Sequence, residues 1–259
     1  NNILIAQAAV GTNQIGRFDL LVDDETNAIV DWKWQLVPIH NNNITPDADL
    51  QKFIDSYKSA IDDKYNTLLC RMARKLTHPA REVETEVGNL FADIFASLGD
   101  VDVVLIGSVS IRLPELGPMV TLRDLKQMFP YDDSFTRYTI TGQQLLNLFS
   151  KFMRKENRNH EGECYQVNGS IRAAYDDVFD KLVSLEINGT EVDPEGHYKL
   201  GLQGYHALNS DANLGLSMDD LTAIEPSKVL ATSMQGVVEE YLRHHQAITQ
   251  AVEGRLSYR

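Results

Sequence analysis

EVGNLFADIFASLGDVDVVLIGSVSIR, residues 86–112, contains a helix, a strand and a turn in direct succession, and the class of the fold follows from it. A helix is predicted over about residues 82–98, because its apolar residues recur at helical spacing on one side. These residues are Val83, Val87, Leu90, Phe91, Ile94, Phe95 and Leu98. Residues 101–106 form a mostly apolar run of strand length, which is typical of a buried strand. The turn that follows runs from Gly107 to Arg112.

Downstream of that turn, helical and strand-like patterns alternate to the end of the chain. Helices are predicted at about residues 121–128, 142–154 and 229–245, strands at 135–140, 164–167, 171–175, 182–187, 198–202 and 252–258, and a charged loop at 155–163. The pair Asn188-Gly189 is a strong signal for a type I′ hairpin turn. Because hairpins interrupt the alternation, the expected class is α+β, with helices packed on a mixed β-sheet.

Upstream, residues 3–9, 18–22 and 29–37 are strand-like. Three strands are too few to bury both faces of a sheet, so we expect them to be the last strands of a preceding domain. A polar linker over residues 40–46 leads into a helix that reaches about residue 65, and a strand is predicted at about 68–76. The chain begins in an apolar run without an initiator Met, which favours a piece of a longer protein.

The composition limits the partners of this protein. The net charge is −13, so nucleic acid polymers and anionic membranes are disfavoured as partners. No apolar run approaches the ~20 residues that a membrane span needs. The two cysteines, Cys70 and Cys164, are too few for a disulfide scaffold and are expected to be buried free thiols. Neither the oligomeric state nor the compartment follows from these numbers.

Residues for metal-dependent hydrolysis are missing from the sequence. A two-metal centre needs several Asp, His and Asn ligands that converge on ions ~3.5–4 Å apart. The seven histidines do not occur in the spacings that supply such ligands, and the chain has neither a P-loop nor a G-x-S-x-G elbow. We therefore predict no catalytic residue and no metal ligand in this chain.

Two arginines are candidates for binding an anion. Arg81 stands next to the start of a predicted helix, and Arg112 ends the turn after the buried strand. The guanidinium group offers a planar set of donors and keeps its charge, which suits a phosphate. The alternative is that both form surface salt bridges with acidic neighbours, namely Glu82, Glu84 or Glu115.

Two tyrosines and an aspartate are candidates for binding a flat heterocycle and its sugar. Tyr131 follows Pro130 in a predicted loop, and Tyr205 opens another, residues 205–211. Two such rings brought together would sandwich a planar ligand, and Asp211 would accept hydrogen bonds from a ribose diol. The alternatives are half-buried packing for the tyrosines and an Asx turn for Asp211.

Several landmarks occur together in a specific order. They are residues 86–90 with Asp93, Ile111-Arg112, Pro130-Tyr131 with Phe135, Thr141-Gly142, residues 205–211 and residues 252–256. In these features the chain resembles the C-terminal domain of the 5'-nucleotidase, UDP-sugar hydrolase and 2',3'-cyclic nucleotide phosphodiesterase family. The resemblance covers residues 66–259. It implies that residues 1–39 are the remnant of an N-terminal metallophosphoesterase domain and that residues 40–65 are a linker and interdomain helix.

The resemblance also implies a role for each candidate. Arg81 and Arg112 match arginines that contact ligand phosphate or ribose, Tyr131 and Tyr205 match the aromatic clamp of the base, and Asp211 matches the residue that grips the ribose. The two divalent ions of the family, of zinc or manganese type, belong to the N-terminal domain, so this chain alone is expected to be inactive. Family members are generally extracellular, periplasmic or held at the cell surface.

The chain departs from the family at two places. Gly107 stands where the family has Asn, and Ser108, Val109 and Ser110 replace three glycines. Residues 209–211 replace a Gly-Gly-Asp sequence.

The resemblance as a whole leads to two function hypotheses. The first is that the chain is the nucleotide-recognition portion of a 5'-nucleotidase-like phosphoesterase. The alternative is a non-enzymatic module that binds a nucleotide or dimerises.

Overall fold

The computed structural model describes residues 3–8, 13–40, 45–158 and 163–259. The chain divides into two compact units, residues 1–62 and 63–259. The smaller unit contains an antiparallel pair, β1 (Gln14–Val22) and β2 (Ile29–Pro38), followed by helix α1 (Ala48–Tyr65), whose last turn lies in the larger unit. Among the described helices, none combines the length and apolarity needed to cross a bilayer.

The larger unit contains most of the secondary structure. Its strands are β3 (Leu68–Arg71), β4 (Leu76–Thr77), β5 (Val103–Gly107), β6 (Glu115–Leu116), β7 (Met119–Thr121), β8 (Phe135–Thr141), β9 (Tyr165–Val167), β10 (Ile171–Asp176), β11 (Lys181–Ile187), β12 (Thr190–Glu191), β13 (His197–Gln203), β14 (Lys228–Ala231) and β15 (Leu256–Tyr258). Its helices are α2 (Glu86–Ala96), α3 (Leu122–Met128), α4 (Gly142–Phe152), α5 (Lys155–Arg158), α6 (Gly204–Leu208), α7 (Ser210–Leu214), α8 (Met218–Thr222) and α9 (Met234–His244).

The central sheet has the order β14-β8-β13-β5-β9. The neighbours β13 and β5 are parallel, and the other pairs are antiparallel. A second sheet, β12-β11-β10-β15, is also mixed, because β15 joins β10 in the parallel sense. The predicted α+β class with a mixed sheet is confirmed.

Strand β5 separates the two hydrophobic clusters of the core. Val104 and Ile106 pack in the cluster that includes residues of α2, α3 and α9. Val103 and Leu105 point to the opposite face and pack in the cluster that includes residues of α4. Because successive side chains of a strand point to opposite faces, a strand covered on both sides needs apolar residues at consecutive positions. This explains the apolar run from which the strand was predicted.

Helix α2 is shorter than predicted, since it begins at Glu86 and not near residue 82. Thr85 is its N-cap and accepts a hydrogen bond from the amide of Gly88. Glu84 lies outside the helix, where its buried carboxylate accepts hydrogen bonds from the backbone of Glu253 and Arg255. The prediction failed because local periodicity carries no information about this long-range contact.

Other predicted elements differ in the structure as well. The strand predicted at about 68–76 is divided into β3 and β4. Residues 3–8 form no strand, and Ala9 lies outside the described residues. Residues 228–231 form β14, which pairs with β8, so the last helix begins after its N-cap Ser233 and not at residue 229. The charged loop at 155–163 contains helix α5, and the tail strand is limited to β15. Residues of β14 and β15 are strands because they pair with β8 and β10, and periodicity alone does not reveal such pairing.

The hairpin signal was correct. Asn188 and Gly189 have φ angles of 52° and 73° and join β11 to β12. Positive φ at both central residues is the signature of a type I′ turn, whose twist matches that of the strands it joins. Both cysteines are buried and free, as expected.

Candidate functional site

The candidate site forms where several segments meet at one edge of the central sheet. Because β5 and β13 are parallel, their carboxyl ends at Gly107 and Gln203 lie at the same edge. Strands β8 and β9 run in the opposite direction, so the segments that precede them, residues 130–134 and 163–164, arrive at this edge too. Loops at the carboxyl ends of parallel strands are a common place for ligand sites.

A cavity of about 540 Å³ lies at this edge. It is lined by Val109, Ser110, Pro130, Tyr131, Asp132, Asp133, Glu163, Gln203, Tyr205 and His206. The volume and the mixture of aromatic and polar walls suit a small organic ligand with a flat apolar part.

Tyr131 and Tyr205 both line this cavity, although they are distant in sequence. Both residues are exposed, at 47% and 57% of the maximum. Tyr131 lies in the loop after α3, two residues beyond the C-cap Phe129, and Tyr205 lies in the first turn of α6. The structure therefore places in one cavity wall the two rings that the sequence predicted as a clamp.

Asp132 and Asp133 hold the walls of the cavity in place. Asp133 accepts a hydrogen bond from the amide of Tyr205 at 2.6 Å and another from Ser134 at 2.8 Å. Asp132 accepts hydrogen bonds from the Ser233 hydroxyl and the Gln235 amide, at the start of α9. Both carboxylates line the cavity, yet these hydrogen bonds come from the protein itself. They position Tyr205 and the first turn of α9.

His206 forms part of the cavity wall, although it is only 1% exposed. Its Nδ1 lies 3.2 Å from the Tyr165 hydroxyl and its Nε2 lies 3.5 Å from the Ser110 hydroxyl. The Ser110 hydroxyl donates its proton to the Gln203 side chain at 3.0 Å, so it is an acceptor toward His206. This arrangement favours the tautomer with the proton on Nε2. Burial lowers the pKa of His206 to about 4, so the ring is neutral near pH 7.

Glu163 is an acidic residue of the cavity with a raised pKa. Burial raises its pKa to about 7, although the Val109 amide and the positive charge of Arg81 act in the opposite direction. The Val109 amide donates to Oε1 of Glu163 over a long 3.3 Å. A carboxyl group with a pKa near 7 inside a cavity is a common property of ligand-binding and catalytic sites.

The structure gives a physical reason for Gly107. A Cβ at this position would lie 2.1 Å from Nε2 of His206 and 3.0 Å from Oε1 of Glu163. The imidazole of His206 thus fills the space that a side chain at position 107 needs. Sequence reasoning noted the unusual Gly107 but missed His206 and Glu163, which reach it from other parts of the chain.

We expect Gly107→Ala to lower the free energy of unfolding by about 1–3 kcal/mol, because the added methyl group overlaps the His206 ring. The backbone of Gly107 has φ −58° and ψ 124°, which alanine adopts without strain, so the loss arises from packing. Urea denaturation measures it, and Gly169→Ala, whose Cβ would meet no atom closer than 3.4 Å, is the control. The double variant with His206→Ala should recover part of the loss. Equal stability of Gly107→Ala and the parent would contradict this account.

Arg112 lies beside the clamp. Its guanidinium is 5.8 Å from the centroid of the Tyr131 ring and donates to the carbonyl of Val109 at 3.2 Å. Arg81 is exposed, and its charge acts on both Glu163 and His78. Both arginines are thus placed near the cavity, although neither is among its lining residues.

Two of the three acidic neighbours that offered an alternative for the arginines, Glu84 and Glu115, make other contacts. Glu115 pairs with Lys75 at 2.6 Å. The carboxylate of Glu84 accepts a hydrogen bond from the Asn89 amide, in addition to its backbone contacts. These contacts weaken the interpretation of Arg81 and Arg112 as ordinary surface salt bridges with these two residues.

Asp211 is exposed and is not among the described residues that line the cavity. The prediction of a loop over residues 205–211 was wrong, because α6 and α7 occupy this region with Asn209 between them. Asp211 lies in the first turn of α7, and its backbone carbonyl accepts a hydrogen bond from Lys151. The short turns form because Asn209 caps the end of one and precedes the other, which strand or helix periodicity does not reveal.

The described residues do not fit a metal centre. Within residues 3–8, 13–40, 45–158 and 163–259, no group of three or more His, Cys, Asp or Glu side chains is arranged to hold a metal ion. His244 and His245 are exposed, and each ring lies against a backbone carbonyl of its own helix. The part of the chain that the structure describes thus offers no ligand set for the metal pair of a phosphoesterase.

Comparison with known proteins identifies the larger unit. The family model of the 5'-nucleotidase C-terminal domain matches residues 66–214. The curated Endonuclease YhcR of Bacillus subtilis (strain 168) is 23% identical over 214 residues, which cover 82% of this chain and 17% of that protein.

Solved structures show the same fold. A 5'-nucleotidase precursor from Thermus thermophilus matches with a TM-score of 0.71 at 15% identity, over 95% of this chain and 50% of its own. The NAD nucleotidase of Haemophilus influenzae matches with a TM-score of 0.58 at 15% identity, over 92% and 47% of the respective chains. The chain spans about half the length of these structures or less. Since the family model covers more than half of this chain, the chain belongs to the family of the 5'-nucleotidase C-terminal domain.

Proposed function

We propose that this chain is the substrate-recognition portion of a 5'-nucleotidase-like phosphoesterase and that the cavity holds the base of a nucleotide or nucleoside. The observation that carries the proposal is the presence of two exposed tyrosine rings, Tyr131 and Tyr205, in the wall of one cavity. Aromatic rings stack on every base, because every base has a flat π-face. Arg112 lies beside the Tyr131 ring, and Asp133 accepts a hydrogen bond from the backbone amide of Tyr205.

The charged candidates suit the remaining parts of a nucleotide. Arg112, next to Tyr131, would supply positive charge to the phosphate, and exposed Arg81 would add to it. Tyr205 lies in α6, and Asp211 lies in the next short helix, α7. Asp211 would accept hydrogen bonds from the ribose hydroxyls of a ligand that extends out of the cavity toward α7. The negative net charge of −13 makes such local positive groups necessary for an anionic ligand.

We propose that this chain is part of a longer protein and that another domain of that protein hydrolyses the phosphate ester. An N-terminal metallophosphoesterase domain would be the partner of this unit and would hold two divalent ions of zinc or manganese type. The role of the present chain is then to deliver the substrate, and we propose an extracellular, periplasmic or cell-surface location on the basis of the family. The prediction that this chain alone has no phosphatase activity follows from the same division of labour.

Calorimetry with nucleosides tests the recognition role. Tyr205→Ala and Tyr131→Ala should each weaken binding at least about tenfold, because stacking on one ring is worth about 1–3 kcal/mol. Tyr205→Phe should bind as well as the parent, since it keeps the ring. Tyr57→Ala removes an equally exposed ring of the smaller unit and should change nothing.

Two outcomes count against the proposal. The first is the failure of every nucleoside and nucleotide to bind the parent chain at millimolar concentration. The second is that Tyr131→Ala and Tyr205→Ala bind nucleosides as tightly as the parent and the control Tyr57→Ala do. In either case the unit has the fold of its family without the recognition site.

A further inference from the structure

The cavity contains one carboxylate that is free of the structural role played by its two neighbours. Asp133 binds backbone amides through both oxygens, and Asp132 binds the start of α9. From the residues that the structure describes, Glu163 receives one long hydrogen bond, of 3.3 Å, from the Val109 amide. Its carboxylate therefore has acceptor capacity to offer a ligand, because an ionised carboxylate has about four acceptor sites on two oxygens.

A hydrogen-bond donor stands next to this acceptor. The point where a Cβ of Gly107 would lie is 2.1 Å from Nε2 of His206 and 3.0 Å from Oε1 of Glu163, so the two groups are neighbours in the wall. The direction of the Ser110 to Gln203 hydrogen bond favours a proton on Nε2. Nε2 is 3.5 Å from the Ser110 hydroxyl, which is too long for a strong hydrogen bond. The wall thus presents a donor beside a two-oxygen acceptor.

A base edge complementary to this pair has an acceptor beside two N–H donors. The Watson–Crick edge of guanine has this pattern, with O6 as the acceptor and N1–H and the 2-amino group as adjacent donors. Adenine and cytosine offer one amino group beside a ring nitrogen without a proton, and uracil presents a single N–H between two carbonyl groups. Only guanine uses both oxygens of the carboxylate and the His206 donor together.

On the basis of the proposed function, we infer that Glu163 reads the edge of the base held between Tyr131 and Tyr205 and selects guanine, with His206 donating to O6. The tyrosines supply affinity for any base, and Glu163 supplies the discrimination. Gly107 is part of the device, because a side chain at this position would displace the His206 ring and crowd the Glu163 carboxylate.

Guanosine and inosine provide the test, since they differ only in the 2-amino group. Calorimetry at pH 8.5, where the Glu163 carboxyl is ionised, should give at least about tenfold tighter binding of guanosine than of inosine, as expected for one good bidentate contact. Glu163→Gln should remove this ratio, because an amide has one acceptor oxygen and places a donor against the base. Glu163→Asp, which shortens the side chain by one carbon, should reduce it as well. Glu195→Gln changes an exposed carboxylate outside the cavity and should keep the ratio of the parent.

The possible outcomes separate this inference from the proposed function. If no nucleoside binds the parent, the recognition role itself fails. If nucleosides bind and their binding depends on Tyr205, the recognition role stands. The reading by Glu163 is then overturned by either of two results. One is equal binding of guanosine and inosine by the parent, and the other is a guanosine-to-inosine ratio that both Glu163→Gln and Glu163→Asp keep. Circular dichroism of each variant identifies any that does not fold, and equal binding of guanosine and inosine by the parent overturns the inference without a variant.

Discussion

Asp93→Ala should lower the free energy of unfolding by about 3–5 kcal/mol, the largest loss that we expect from a single substitution in this chain. Asp93 lies on α2 and binds both Nη atoms of Arg255, at 2.8 and 2.7 Å. The Arg255 side chain is only 1% exposed. Removal of Asp93 leaves this guanidinium buried with Glu253 as its remaining carboxylate partner. A buried charge that loses its main partner is strongly destabilising, whereas exposed ion pairs contribute little.

A double-mutant cycle in urea separates the buried charge from simple loss of contacts. Arg255→Met together with Asp93→Ala should be more stable than Asp93→Ala alone, because the unpaired cation is gone. Arg172→Met is the matched control, because the Arg172 side chain is 44% exposed and its ion pair with Glu253 is long, at 3.9 Å. This variant should change the free energy of unfolding by less than about 1 kcal/mol. A double variant that is less stable than Asp93→Ala would show that the guanidinium does not need its partner.

This ion pair explains two landmarks from which the family was recognised in the sequence. Asp93 and the segment 252–256 are far apart along the chain, yet the structure joins them through Arg255, which also donates to the carbonyl of Val167. The helix and strand pattern around them was predictable, because a strand covered on both faces and a helix with one apolar side leave clear periodicities. The contact between them was not predictable from local pattern, since it depends on how β15 returns to the sheet.

The candidate site shows the same division between local and long-range information. Tyr131 and Tyr205 were identified from the resemblance, and the topology explains why they meet, because β8 and β13 are paired with their relevant ends at one edge of the sheet. Glu163 and His206 were missed, since nothing in their local sequence shows that they converge on Gly107. The one sequence feature that could have indicated them is Gly107 itself. A glycine in place of a polar family residue indicates that another group occupies the space, but not which group.

The stability of the chain should depend on pH through Glu163, and the direction follows from its pKa of about 7. In the unfolded chain this carboxyl titrates near its ordinary pKa of 4.5. Below that pH the group is protonated in both states and has no effect. Between pH 4.5 and 7 the unfolded chain releases the proton while the folded chain keeps it, so the free energy of unfolding falls as the pH rises. As the pH rises above 7 the loss approaches its full value of about 3 kcal/mol.

Glu163→Gln removes this titration and should therefore be increasingly more stable than the parent as the pH rises. We expect the difference in unfolding free energy between the variant and the parent to grow by about 2–3 kcal/mol between pH 4.5 and 8.5, measured in urea at several pH values. His206, whose pKa burial lowers to about 4, titrates in both proteins and cancels in the difference. Glu195→Gln should show a difference that does not vary with pH. A flat difference for Glu163→Gln would mean that the folded protein leaves this carboxyl as well hydrated as the unfolded chain does, and the cavity wall would then hold an ordinary surface glutamate.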